Sequence, residues 1–187
     1  MTIIDDFLKD AREHMDKSVE ATRSKFGSVR TGRASPSLLD RIVVDYYGAQ
    51  TPLKQLATMH TAEARLLTVQ PYDKNSLKAI EKGIMESDVG LTPSNDGQII
   101  RLTIPELTEE RRKELVKVAR GLAEEGKVAL RNIRRDTMHD LRELRDAGEA
   151  GADDEHRAEE ALQKLTDEKV RELDALVKAK EEEILEV

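Results

Sequence analysis

Small or apolar side chains recur at Ile4, Phe7, Ala11, Met15, Ser18, Thr22, Phe26 and Val29, at alternating steps of three and four. That spacing puts them on one stripe and predicts a helix over residues 4–29. The stretch Thr31-Gly32-Arg33-Ala34-Ser35-Pro36-Ser37 breaks the pattern with turn-forming residues. Between 38 and 104 the period becomes two. Ile42, Val44 and Tyr46 fall on one face of an extended segment, as do Ile100, Leu102 and Ile104 of another. A third strand is predicted over 65–70 and a short helix over 75–86. Asn95-Asp96-Gly97 supplies tight-turn chemistry before the last strand.

After Pro105 the helical period returns, with Leu115, Ala119, Leu122, Gly126, Ala129, Ile133, Thr137 and Leu144 on one side. This helix is expected to run for about 38 residues, roughly 57 Å at the helical rise. Gly148 and Gly151 mark a break, and Leu162, Leu165, Val170, Leu173, Val177 and Ile184 form the stripe of a last helix. Three long helices with one stripe each bury themselves most simply as a three-helix bundle. All five prolines lie in the strand-rich segment or at its edges, which sets it apart as a separate unit. The predicted class is therefore α+β, with residues 1–30 and 105–187 forming the bundle and 31–104 a small β/α/β domain inserted between helices 1 and 2. Two crossings connect them, at Arg30, Thr31, Gly32 and Arg33 and at Ile104, Pro105 and Glu106. They form a candidate hinge, because a two-strand connection resists bending less than a packed interface does.

Composition agrees with long, surface-rich helices: of 187 residues 37% are charged and only 3% aromatic, and there is no cysteine, which excludes disulfides and thiolate metal sites. No apolar run approaches the roughly 20 residues that span a bilayer, so a cytoplasmic protein without a membrane partner is expected. The net charge of −7 is unevenly distributed. Residues 146–187 carry 15 acidic and 6 basic side chains, whereas residues 111–135 carry nine basic and three acidic ones.

On a helical wheel with Leu115 at zero, the expected core of the second bundle helix lies within about 40° of zero, and Lys113, Lys117, Arg120, Lys127, Arg131, Arg134, Arg135 and Arg142 fall between about 100° and 200°. A solvated face with charges paired along the helix is one reading of this stripe. A phosphate-binding face is the other. Arg131, Arg134 and Arg135 have no carboxylate three or four residues before them, and arginine suits forked contacts with phosphate. Residue type alone leaves both open. No aromatic residue interleaves with the stripe, so any RNA bound there would be recognised through its folded backbone. The candidate RNA-binding set is Arg131, Arg134, Arg135, Lys127, Arg120, Lys117, Lys113 and Arg30. No nucleophile motif, glycine-rich phosphate loop or metal-ligand spacing is present, and the four histidines are scattered. An enzyme, a cofactor and a metal are therefore not expected. A coiled-coil adaptor would use the same helices without needing an arginine-rich stripe, and a nucleotide-using enzyme would need a phosphate loop.

The run Val29-Arg30-Thr31-Gly32-Arg33-Ala34-Ser35-Pro36 strongly resembles the ribosome recycling factors. So, in the same order, do Leu38-Leu39-Asp40, Tyr46-Tyr47-Gly48, Thr51-Pro52-Leu53, Leu107-Thr108-Glu109-Glu110-Arg111-Arg112-Lys113, Arg131-Asn132-Ile133-Arg134-Arg135-Asp136 and Gln163-Lys164-Leu165-Thr166-Asp167. The resemblance covers essentially the whole chain. It implies an L-shaped protein, similar in outline to a transfer RNA, that binds the post-termination ribosome with its bundle against large-subunit ribosomal RNA. It further implies that the protein works as a monomer with elongation factor G and that factor's GTP hydrolysis to split the subunits. The family's essential bundle arginines correspond to Arg131 and Arg134.

Overall fold

The computed structural model describes residues 2–186, which group into two compact units. One comprises residues up to Phe26 together with Val116–Glu182; the other comprises Gly27–Leu115 with the residues from Glu183 onward. An α+β fold with long helices and a small sheet-containing unit is what the sequence pattern predicts.

The bundle unit is built from most of helices α1 (Ile3–Gly27), α4 (Glu109–Asp146) and α5 (Ala152–Leu185), taking α4 from Val116 and α5 as far as Glu182. Thr2 caps α1 reciprocally: its hydroxyl accepts from the Asp5 amide while the Asp5 carboxylate accepts from the Thr2 amide. The Thr108 hydroxyl caps α4 by accepting from the Arg111 amide. At the other end of α4, Gly148 adopts a φ of +74 and the Glu149 amide donates back to the Leu144 carbonyl, so the helix ends where the glycine allows a left-handed residue. Ala11, Met15, Val19, Leu130, Leu141, Ala158, Leu162, Leu165 and Leu173 form the core. Gly126 is buried in it, because a β-carbon there would stand 2.7 Å from Thr22 Oγ1 and 2.9 Å from Leu173 Cδ1. The residue that propensity alone marks as a weak point of α4 is one where side chains of both α1 and α5 press against its backbone.

The second unit holds a two-stranded hairpin, β1 (Val43–Tyr46) with β2 (Ala49–Pro52), and a four-stranded antiparallel sheet of order β3-β4-β6-β5. Those strands are β3 (Ala57–Glu63), β4 (Leu66–Pro71), β5 (Pro93–Asn95) and β6 (Ile100–Thr103). A one-turn helix α2 (Leu53–Leu56) and α3 (Leu77–Glu86) complete it, with Leu77, Ile80 and Ile84 of α3 buried. Ile42, Val44, Ile100, Leu102 and Ile104 are buried, as the period of two requires. Tyr47 (φ 50) and Gly48 (φ 83) are the central residues of the hairpin turn, whose right-handed strand twist demands two positive φ values. The β5–β6 turn is held by Asp96, whose carboxylate accepts from the Ile99 and Gln98 amides and from Arg101 Nη1. The Ile99 amide, then Arg101 and the Gln98 amide, hold that carboxyl well below its usual range.

The segments Arg30–Arg33 and Ile104–Glu106 fall within this second unit. The Ala34 amide donates to the Ala64 carbonyl, the Ile104 amide to the Arg65 carbonyl, and Arg65 pairs with Glu106 at 3.0 Å. These bonds tie the chain to the sheet at Ala34, Ile104 and Glu106, and the boundary between the units falls further out, at Phe26/Gly27 and Leu115/Val116.

Candidate nucleic-acid interface

The buried residues of α4 are Leu115, Ala119, Ala123, Gly126, Leu130, Thr137, Leu141 and Leu144. On the wheel they lie between about 0° and 80°, centred about 40° nearer the basic sector than the stripe expected from the sequence. Leu122, Ala129 and Ile133 are only half-buried. The physical reason is that α4 packs against two neighbours and must centre its buried face between them. Ala123, Leu130 and Leu141, at about 60° to 80°, extend that face beyond the stripe expected from the sequence.

This rotation divides the basic stripe, which is not uniformly exposed as the sequence reading has it. Arg134, Lys127 and Arg120, at about 100° to 140°, flank the buried face and reach across to α5. Lys127 retains only 19% side-chain exposure, and its Nζ lies 2.6 Å from Asp174 Oδ1. Arg120 forks onto the two oxygens of Glu181, and that hydrogen-bonded contact raises its already high pKa. Arg134 is half-buried: Nη1 donates to Gln163 Oε1 at 2.6 Å, and Nε is sealed from solvent without a partner among the described residues. Arg134 therefore lacks the full exposure expected of it, because α5 supplies the acceptor that α4 does not.

The cations at about 160° to 200° point away from the core. Lys117 is exposed and has no carboxylate partner among the described residues. Arg131 is exposed and, among the described residues, reaches only Glu124, at 3.9 Å. Arg135 contacts the adjacent Asp136, and both remain largely exposed. Lys113 pairs with Glu109 one turn away, at 3.0 Å. Arg142 reaches Glu159 on α5 at 3.7 Å. Such solvent-exposed pairs are worth about 0–1 kcal/mol, so they give way readily to a phosphate. Arg30 lies in the other unit, half-buried, with its Nε likewise sealed.

Sequence reasoning missed two features. Lys169 of α5 is nearly buried, with Nζ 2.7 Å from both Asp16 and Glu172. Glu155, also buried, accepts from Arg145 through both carboxylate oxygens, at 3.1 and 2.8 Å. Lys169 meets Asp16 from the far end of the chain, and Arg145 meets Glu155 across the turn between α4 and α5, so neither pairing shows in the periodicity of one helix. Among the described residues no group of three or more His, Cys, Asp or Glu side chains could hold a metal ion. Nor is any helix there long and apolar enough to cross a membrane.

What fold and site define together is a protein that presents its chemistry as arginine and lysine side chains on a long, well-packed helix. Comparison with known proteins gives the class a family. A family model described as ribosome recycling factor matches residues 22–185. A ribosome-recycling factor of Rubrobacter xylanophilus is 54% identical over 180 residues, covering 96% of this chain and 97% of the relative. One from Synechocystis is also 54% identical, covering 96% and 99%. The solution structure of a ribosome recycling factor covers 100% of both chains with a TM-score of 0.81 at 41% identity. A second solved structure describes models of the T. thermophilus ribosome recycling factor and the E. coli elongation factor G bound to the E. coli post-termination complex. It matches with a TM-score of 0.69 at 48% identity, over 99% of this chain and 100% of the other. The chain belongs to the ribosome recycling factor family, whose members are translation factors.

Proposed function

We propose that this protein binds the post-termination ribosome through large-subunit ribosomal RNA. Together with elongation factor G and GTP hydrolysis on that factor, it separates the subunits for a new round of translation. The observation that carries the reading is the outer face of α4, where Arg131, Arg135, Lys117 and Lys113 are exposed and either open or weakly paired. Arginine forks on a helix held by a packed core suit the regular phosphate spacing of folded RNA, and phosphate contacts fix position without reading sequence. Lys127 and Arg120, locked onto α5, contribute field and rigidity more than direct contact.

The bundle, residues 1–30 with 105–187, is the RNA-binding part in this reading, and residues 31–104 form the inserted domain. Arg30–Arg33 and Ile104–Glu106 are its hinge in this reading, with Gly32 at φ +77 able to absorb dihedral change while the bonds of Ala34, Ile104 and Glu106 anchor the sheet-side end. The protein acts in the cytoplasm as a monomer, needs no cofactor and catalyses no reaction of its own. The resemblance of the whole chain to a factor solved with elongation factor G on the ribosome supports that partnership.

The test is light scattering of post-termination ribosomes mixed with the protein, elongation factor G and GTP. Splitting is expected only when all are present, and not with a non-hydrolysable GTP analogue. Splitting without elongation factor G would overturn the reading.

A further inference from the structure

Five cations of α4 reach acceptors on α5: Arg120 to Glu181, Lys127 to Asp174, Arg134 to Gln163, Arg142 to Glu159 and Arg145 to Glu155. Residue numbers rise along one helix as they fall along the other, so these pairs are successive rungs of an antiparallel ladder. Four rungs end in a carboxylate and cancel their charge. The Arg134 rung ends in a neutral amide, at 2.6 Å. Gln163 is itself oriented, because its Nε2 donates to Asp167 Oδ1 at 2.8 Å one turn further along α5. That bond turns the amide oxygen towards Arg134. No carboxylate among the described residues pairs with Arg134, whose Nε is sealed while its Nη2 has no partner and is not sealed in the same way.

We propose that Gln163 is a positioning residue: it fixes the Arg134 guanidinium against α5 while leaving its charge uncancelled for an RNA phosphate. A carboxylate at 163 would hold the fork equally well but would neutralise it, as on the other rungs. An apolar residue would leave the charge and lose the orientation. A neutral acceptor is the side chain that does both. The inference rests on the reading that the α4 face binds ribosomal RNA and deepens it by extending the interface machinery onto α5.

The experiment measures binding of the labelled full-length protein to 70S ribosomes between about 50 and about 200 mM salt at constant magnesium, where each phosphate contact adds about one unit to the slope of log affinity against log salt. The informative variant is the charge swap Gln163→Glu/Asp167→Asn, which keeps the net charge of the protein and moves one carboxylate a single turn onto Arg134. It should melt like the parent, bind roughly ten-fold more weakly at low salt and lose about one unit of slope. Gln163→Leu should also weaken binding but keep the parental slope, since the charge remains. A swap variant with parental affinity and slope overturns the inference, as does a Gln163→Leu variant with parental affinity. Arg134→Ala separates this failure from failure of the underlying reading. If Arg134→Ala binds weakly while the Gln163 variants bind normally, only the positioning role is wrong; if Arg134→Ala itself binds normally, Arg134 does not contact RNA.

Discussion

Replacing Gly126 by alanine sets two effects against each other within a single methyl group. In an exposed helix the change gains about 1 kcal/mol, because glycine loses more backbone freedom on folding. At 126, however, the new β-carbon would stand 2.7 Å from Thr22 Oγ1 and 2.9 Å from Leu173 Cδ1, both inside carbon contact distance. Neither neighbour yields easily. The Thr22 hydroxyl is fixed by donating to the Ser18 carbonyl at 3.0 Å, and Leu173 is fully buried. Overpacking of this kind costs about 1–3 kcal/mol, so the net effect should be a loss of up to about 2 kcal/mol. Gly121 is the control, five residues away in the same helix, exposed, with nothing within 4 Å of its hypothetical β-carbon. Gly121→Ala should stabilise by about 0.5–1 kcal/mol. Urea midpoints at unchanged m-value read both, and in a chain of this size about 1 kcal/mol moves the thermal midpoint by about 2–4 °C. Thr22→Ala should partly rescue Gly126→Ala, as residues in contact do not act additively. A Gly126→Ala protein as stable as Gly121→Ala would refute the packing of the three helices described above.

Two further outcomes follow from the charged groups inside the bundle. Burial works against the charge on Lys169, but hydrogen bonds to Asp16 and Glu172 outweigh it and raise its pKa. A folded value above the unfolded one of about 10.4 means that its stabilisation is complete below that pH and is lost as pH rises through the folded value. The stability difference between the parent and Lys169→Met should therefore shrink above about pH 10 in denaturant titrations, and a constant difference would contradict the pairing. Arg134→Ala should cost about 0.5–1.5 kcal/mol of stability, because a half-buried hydrogen bond to Gln163 is lost; an unchanged melting temperature would place the side chain in solvent.

Regular periodicity made much of the fold legible. The second bundle helix comes out at 38 residues, and the extended segments at Ile42–Tyr46, 65–70 and 99–104 coincide with β1, β4 and β6. The strands that escaped had no such signal. Most of β3 is exposed and so does not alternate, β2 is specified by a hairpin turn hidden in Tyr47-Gly48 instead of an Asn-Gly pair, and β5 spans only three residues. The basic stripe was legible as a composition, but its division was not. The buried face of α4 widens through Ala123, Leu130 and Leu141, which lie to one side of the stripe read from the sequence, and the cations beside it meet α5 acceptors 29 to 61 residues away. Gln163, Asp174 and Glu181 look like ordinary surface residues until the helices are packed.

The central claim is that the outward cations of α4 are the contact with ribosomal RNA, and Arg131 tests it most directly. It is exposed, it reaches no group on α5 among the described residues, and its weak contact with Glu124 is 3.9 Å long. Arg131→Ala should leave the denaturation midpoint within about 0.5 kcal/mol of the parent. Affinity for 70S ribosomes, measured at constant salt and magnesium, should fall by about 1.5–3 kcal/mol, roughly ten- to hundred-fold, through loss of a charge-assisted contact to phosphate. Arg131→Lys should recover part of that loss, since it keeps the charge without the planar fork. A folded Arg131→Ala protein that bound ribosomes with parental affinity would contradict the account.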